Sequence, residues 1–167
     1  MLDVEENGKT FEENAIIKAL SFSQHYDGYV IATDGGASIP ALGESWDGLR
    51  TKRFAGEEAT DQERIEKLLT LMKDKKDNER AMLWREAIAV ARNGQVLFSE
   101  EVEGAKGEVQ ASFDPTKYKP GIWVCSIWYF PELNKNFFDM TEKEQEYVEI
   151  SWHRLFKSTR NYFEKHL

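Results

Sequence analysis

Two acids in the first third of the chain suggest metal chemistry. Glu13 lies in Thr10-Phe11-Glu12-Glu13-Asn14-Ala15, and Asp34 follows the apolar run Tyr29-Val30-Ile31-Ala32 and precedes Gly35-Gly36. Hard divalent cations take oxygen ligands, so an acid at a helix start meeting an acid at a strand end would suit an ion that bridges phosphates. Each acid also has an ordinary reading. Thr10-x-x-Glu13 is a capping box, in which threonine and glutamate satisfy each other's backbone donors, and the pattern recurs at Thr60-x-x-Glu63 and Thr141-x-x-Glu144. Asp34 sits where open α/β sheets place ligands, beside glycines that would let backbone N–H groups come close, yet Asp-Gly-Gly equally suits a plain turn.

Cations complete the set of candidates. Arg50, Lys52 and Arg53 crowd into Gly48–Gly56, where they read either as a phosphate clamp or as a solvated loop. His153-Arg154 reads either as a ligand-binding pair or as surface display on the last helix. The three histidines are dispersed and there is one cysteine, Cys125, so the spacing of a zinc site is absent. The chain carries no Gly-x-x-x-x-Gly-Lys loop, Gly-x-Gly-x-x-Gly turn or Gly-x-Ser-x-Gly elbow.

The elements that must position these residues follow from periodicity and punctuation. Phe11, Ala15, Ala19 and Phe22, with Ile16 and Leu20 beside them, predict a helix from Thr10 to about Tyr26, ended by Gly28. A short buried strand then ends at Asp34. A second helix opens at Thr60 with Ile65, Leu68, Leu69 and Met72 as its apolar stripe. Asn93-Gly94 between Arg80–Arg92 and Gln95–Phe98 predicts a hairpin, and the meander continues toward Phe113. Ile122 to Phe130 reads as a strand buried on both faces, ended by Pro131. A last helix from Thr141 turns Val148, Trp152, Leu155, Thr159 and Tyr162 inward. The expected fold is a single α/β domain over 1–167, with a mixed, largely antiparallel, elongated sheet flanked by helices.

Composition sets outer bounds. The chain has 167 residues, 41% of them hydrophobic, enough for one core of ordinary size. A net charge of −8 leaves no basic footprint for holding duplex nucleic acid. The first residues are acidic without an apolar core, and no apolar run reaches the length of a membrane span, so a cytoplasmic protein is expected. Cys125, within an apolar run, fits a buried thiol in a reducing compartment.

Taken in order, Glu6 to Ala19, the strand ending at Asp34, Gly48–Gly56 with Arg53-Phe54, Glu103 to Val109 and His153-Arg154 resemble the inosine triphosphatase family. These are house-cleaning enzymes that hydrolyse ITP, dITP and XTP to monophosphate and pyrophosphate. The resemblance implies that Glu13 and Asp34 hold Mg²⁺ and that Asp34 orients or deprotonates the attacking water. It also implies that Gly35, Arg53, His153 and Arg154 contact a purine nucleoside triphosphate, and that the chain forms a homodimer. Several family features differ. Family members begin with a strand and a Thr/Ser-x-Asn-x-x-Lys loop, and this chain is read as starting downstream of both. Asp-Asp-Ser-Gly becomes Thr33-Asp34-Gly35-Gly36, and the base-recognition segment becomes Ile122-Trp123-Val124-Cys125-Ser126-Ile127. A non-catalytic nucleotide-binding or protein-interaction domain on the same scaffold is the alternative, motivated by those changes and by Trp123, Trp128 and Tyr129 as interface aromatics.

Overall fold

The computed structural model describes residues 4–148 and 150–166. Five strands form one sheet in the order β1-β2-β3-β4-β5: Val30–Ser38, Ala81–Arg92, Gln95–Val109, Trp128–Phe130 and Lys135–Asn136. The helices are α1 Phe11–Ser23, α2 Asp61–Leu71, α3 Glu142–Val148 and α4 Ile150–His166. This is the mixed α/β class expected, with helices flanking a sheet whose β4 runs antiparallel to both β3 and β5. By contacts the chain divides into two compact units, one of Met1–Gly36, Arg85–Gly104 and Glu149–Leu167, the other of Ala37–Trp84 and Ala105–Val148. No described helix is long and apolar enough to cross a membrane.

In the first unit, α1 starts where the capping residues place it. Thr10 Oγ1 accepts the Glu13 N–H at 3.0 Å, Glu13 Oε2 accepts the Lys9 N–H at 2.6 Å, and Asn14 Oδ1 accepts the Gly8 N–H at 2.8 Å. Three donors before and within the first turn are thereby satisfied, and residues 8 and 9 are tied back onto the helix. Phe11, Asn14, Ala15, Ala19 and Ser23 form the buried face, whereas Phe22, expected inside, is 41% exposed. The hairpin signal is confirmed: Asn93 and Gly94 take φ of 51° and 73°, the left-handed pair that a two-residue turn between twisted strands requires. Ser23 Oγ accepts the Gly94 N–H at 3.1 Å, so the end of α1 holds that turn. On α4, Leu155 is fully buried against Ile88 and Val102, with Phe98 and Trp152 half-buried beside them.

Two local expectations change. β1 does not end at Asp34 but continues through Gly35 and Gly36 to Ser38, so the glycines serve a strand, not a turn. A Cβ on Gly35 would lie 2.9 Å from the Arg85 carbonyl oxygen, which is why a side chain is excluded there.

In the second unit, the run from Ile122 to Phe130 is only a strand at its end. Trp123–Ile127 coils as a 3₁₀ turn, fully buried, and its carbonyls are taken by the Gln110 N–H on Ile127 and by Asn136 Nδ2 on Ser126. A continuous apolar stretch carries no period by which a buried strand could be told from a buried turn. β4 then pairs Trp128 with Val109 and Tyr129 with Glu108. The reciprocal capping box at Thr60 and Glu63 opens α2, which buries Ile65 and Leu68 in a core shared with Met72, Met82, Trp46 and Phe54. Arg80 closes this core by donating to four backbone carbonyls, those of Val109, Met72, Lys75 and Gln110, at 2.6–3.2 Å.

Candidate functional site

The chemistry of the first unit converges on Lys18. This lysine lies one turn beyond Asn14 on α1, and its Nζ donates to Asp34 Oδ1 on β1 at 2.9 Å and to Glu6 Oε2 at 3.3 Å. Glu6 reaches it because Asn14 and Glu13 fasten Gly8 and Lys9 to the first turn of α1. The side chains of Lys18 and Asp34 are 20% and 16% exposed, and that of Glu6 is 43% exposed. One ammonium therefore faces two carboxylates at a partly solvated place, leaving a local excess of negative charge.

Asp34 lies mid-strand, where its carboxylate is paired with Lys18. Glu13 is exposed and acts as a cap; the acid that meets Asp34 at the shared ammonium is Glu6. Lys18 and Glu6 both lie in the segment that carried the resemblance, but their meeting depends on the fold-back of residues 8 and 9, which has no periodic signature. Gly35, next to Asp34, is exposed within β1. His153 and Arg154 are exposed on α4, their side chains making neither hydrogen bond nor ion pair among the described residues.

Arg53 belongs to the second unit, in the turn Gly48–Arg53. With Lys52 and Arg64 it lines a cavity of about 560 Å³. Asp61 lines it too: its carboxylate accepts from Arg64 at 2.7 Å, the Tyr118 hydroxyl at 2.9 Å and the Gly121 N–H at 2.8 Å. Burial raises the Asp61 pKa, but these donors outweigh it and hold the group below its usual range. The same bond raises Tyr118, so Asp61 is the ionised acceptor of the pair.

The donor set near Lys18 fits a hard divalent ion. Mg²⁺ binds through one or two carboxylates and fills its remaining positions with water and substrate phosphates. Among the described residues no group of three His, Cys, Asp or Glu side chains is arranged to cage a metal, so an ion at Glu6 and Asp34 would need that outside help.

Comparison with known proteins places the chain among relatives. The dITP/XTP pyrophosphatase of Oceanobacillus iheyensis is 44% identical over 93 residues, covering 56% of this chain and 47% of the relative, so the chain matches about half of that protein's length. That of Thermoanaerobacter pseudethanolicus is 32% identical over 166 residues, covering 99% of this chain and 80% of the relative. Among solved structures, a HAM1 protein from Coxiella burnetii superposes with a TM-score of 0.75 at 30% identity, covering 88% of this chain and 73% of that one. The Ham1 family model matches residues 1–154, and with the shared fold this shows that the chain belongs to the Ham1 family.

Proposed function

We propose that this protein hydrolyses a purine nucleoside triphosphate of the inosine or xanthosine kind to monophosphate and pyrophosphate, with Mg²⁺ held at Glu6 and Asp34. The observation that carries the site is the single Lys18 ammonium shared by those two carboxylates. The name of the relatives, dITP/XTP pyrophosphatase, supports the reaction and the substrate class.

Bound Mg²⁺ would neutralise phosphate charge and orient the triphosphate. Lys18 is the positioning residue, holding both carboxylates together before the ion arrives and offering a point charge to a phosphate. Asp34 orients the attacking water and accepts its proton as the water oxygen bonds to the α-phosphorus. The bond from that phosphorus to the bridging oxygen breaks, and pyrophosphate leaves. Gly35 offers its backbone to a phosphate, while His153 and Arg154 hold the nucleotide. Glu13, the ligand expected from the sequence, supports this arrangement through Lys9; if it is the ligand instead, Glu13→Gln and not Glu6→Gln will abolish the response to Mg²⁺. The proposal also carries a homodimer and a cytoplasmic setting, the latter supported by the buried Cys125, the single cysteine of the sequence.

The aromatic motive for a protein-interaction alternative falls away, because Trp123 and Trp128 are each only 3% exposed and Tyr129 is half-buried; the changed phosphate-loop and base-segment residues remain its other motive. The test is pyrophosphate release from ITP, XTP and dITP with Mg²⁺. Asp34→Asn should lower turnover by about 10²–10⁴-fold with the fold retained. Full activity in that variant refutes the role of Asp34; no turnover of any triphosphate by folded wild-type protein refutes the function.

A further inference from the structure

We infer that Glu101 is a positioning residue for the metal site: from β3 it grips the first turn of α1 and so sets where Lys18 and Glu6 stand relative to Asp34. The inference rests on the Mg²⁺ reading above and adds to it a residue that acts through others. The Glu101 carboxylate divides its two oxygens. Oε2 accepts the backbone N–H of Glu12 at 3.1 Å, and Oε1 pairs with Arg85 NH1 on β2 at 3.3 Å. Two residues back on β3, on the same face of the strand, the Ser99 hydroxyl donates to Glu12 Oε1 at 2.5 Å. Residue 12 is therefore held twice, its backbone by Glu101 and its side chain by Ser99, across 89 and 87 positions of sequence.

Such a grip does more than start a helix. Thr10 already caps α1 by accepting the Glu13 N–H, so helix formation has its local signal. The N–H of Glu12 is another of the amides that α1 cannot satisfy from within. Giving it to a carboxylate on the sheet fixes the helix end in place, with negative charge at the positive end of the dipole. The Glu101 side chain is only 15% exposed, so water competes poorly for that bond. From Glu12 the placement passes to its neighbours. Glu13 and Asn14 hold Lys9 and Gly8, which turn Glu6 back onto Lys18 of the same helix. On the sheet side the link runs through Arg85, whose side chain meets Glu101 and whose backbone carbonyl lies against Gly35, the neighbour of Asp34. Both partners of the Lys18–Asp34 contact at 2.9 Å are thus referred to one carboxylate. Hydrogen bonds behind the ligating groups set metal affinity without touching the metal.

The experiment is a MgCl₂ titration of the nucleotide-free full chain at constant ionic strength, followed by amide NMR, with the Mg²⁺ dependence of ITP turnover measured beside it. Glu101→Ala should raise the Mg²⁺ midpoint of the shifts at Asp34 and Gly35 about 10–100-fold, and its Glu12 amide should exchange faster with solvent. Turnover should recover at saturating Mg²⁺, which a general loss of structure would not allow. Glu101→Gln keeps an acceptor for the amide and should stay within about threefold of wild type. Ser99→Ala, which leaves residue 12 to Glu101 alone, should raise the midpoint about three- to tenfold. Arg80→Met, a destabilised control in the second unit, should leave the midpoint where it is. An unchanged midpoint in Glu101→Ala overturns the inference alone, as does an equal rise in Arg80→Met. Should Glu101→Ala fail to fold, Ser99→Ala carries the same test, and an unchanged midpoint there overturns the inference. A wild-type protein with no Mg²⁺ response at Asp34 overturns the metal site and this inference together.

Discussion

Lys18→Met tests whether the ammonium is a stand-in for a metal ion. At 2.9 Å and an effective dielectric of about 20, the attraction between Lys18 and Asp34 is about 6 kcal/mol before desolvation, and that to Glu6 at 3.3 Å is about 5 kcal/mol. Solvent screening and side-chain ordering remove most of this for groups exposed to this degree, leaving a net of about 1–2 kcal/mol for the Asp34 pair and under about 1 kcal/mol for the Glu6 pair. Methionine keeps the apolar stem, so what is lost is the charge, and two carboxylates are left facing each other. The variant should therefore unfold about 2–6 °C lower than wild type for a chain of this size. Because the ammonium no longer competes, Mg²⁺ should bind the variant more tightly and restore part of the lost stability, an increment that follows RT ln(1 + [L]/Kd). Thermal unfolding at fixed ionic strength, with MgCl₂ against an isotonic monovalent salt, measures both. Glu6→Gln in the same background should remove the Mg²⁺ increment and Glu13→Gln should leave it, since a glutamine oxygen can still accept the Lys9 N–H. A Lys18→Met protein as stable as wild type, or one equally destabilised with and without Mg²⁺, would refute the reasoning.

Three other expectations follow from particular contacts. Gly35→Ala places a methyl 2.9 Å from the Arg85 carbonyl, a backbone atom that cannot rotate away, and should cost about 1–3 kcal/mol in urea unfolding; a neutral substitution would mean that β1 and β2 separate easily there. Arg80→Met removes a donor from four carbonyls at once and should cost about 2–4 kcal/mol, whereas a loss below about 0.5 kcal/mol would show that water replaces the guanidinium without penalty. The Glu144 carboxyl is lowered to about 2, chiefly by Lys135 and then by the Thr141 N–H and hydroxyl. The unfolded group, near 4.5, binds more protons between the two values, so the contribution of the Lys135 and Thr141 bonds is complete above about 4.5 and disappears as pH falls toward about 2. A carboxyl NMR titration of Glu144 with a midpoint near 4.5 would contradict the Lys135 contact and the cap together.

What was legible in the chain was what depends on neighbours within a turn. The boxes at Thr60 and Thr141 are reciprocal as written, since both partners sit three residues apart in one helical turn. At Thr10 the pattern is shifted: Glu13 accepts from Lys9 instead of Thr10, and it is this shift, with Asn14 reaching Gly8, that brings Glu6 back toward the helix. The Asn93-Gly94 turn was readable because few residues tolerate the backbone it needs. Asp34 was misplaced at a strand end, because Asp-Gly-Gly reads as a turn until the Arg85 carbonyl beside Gly35 is seen.

The sequence by itself determined the class of fold, the helix starts, the hairpin and the presence of an acid on the first strand, because each is encoded by local periodicity, capping and turn chemistry. Only the tertiary structure decided that Glu6 is the acid to meet Asp34, that Lys18 stands between them, and that Arg53 opens onto a cavity with Lys52 and Arg64. Those meetings join residues 12, 16 and more positions apart. They are set by where a loop folds back and how close two backbones come, and neither leaves a period in the chain.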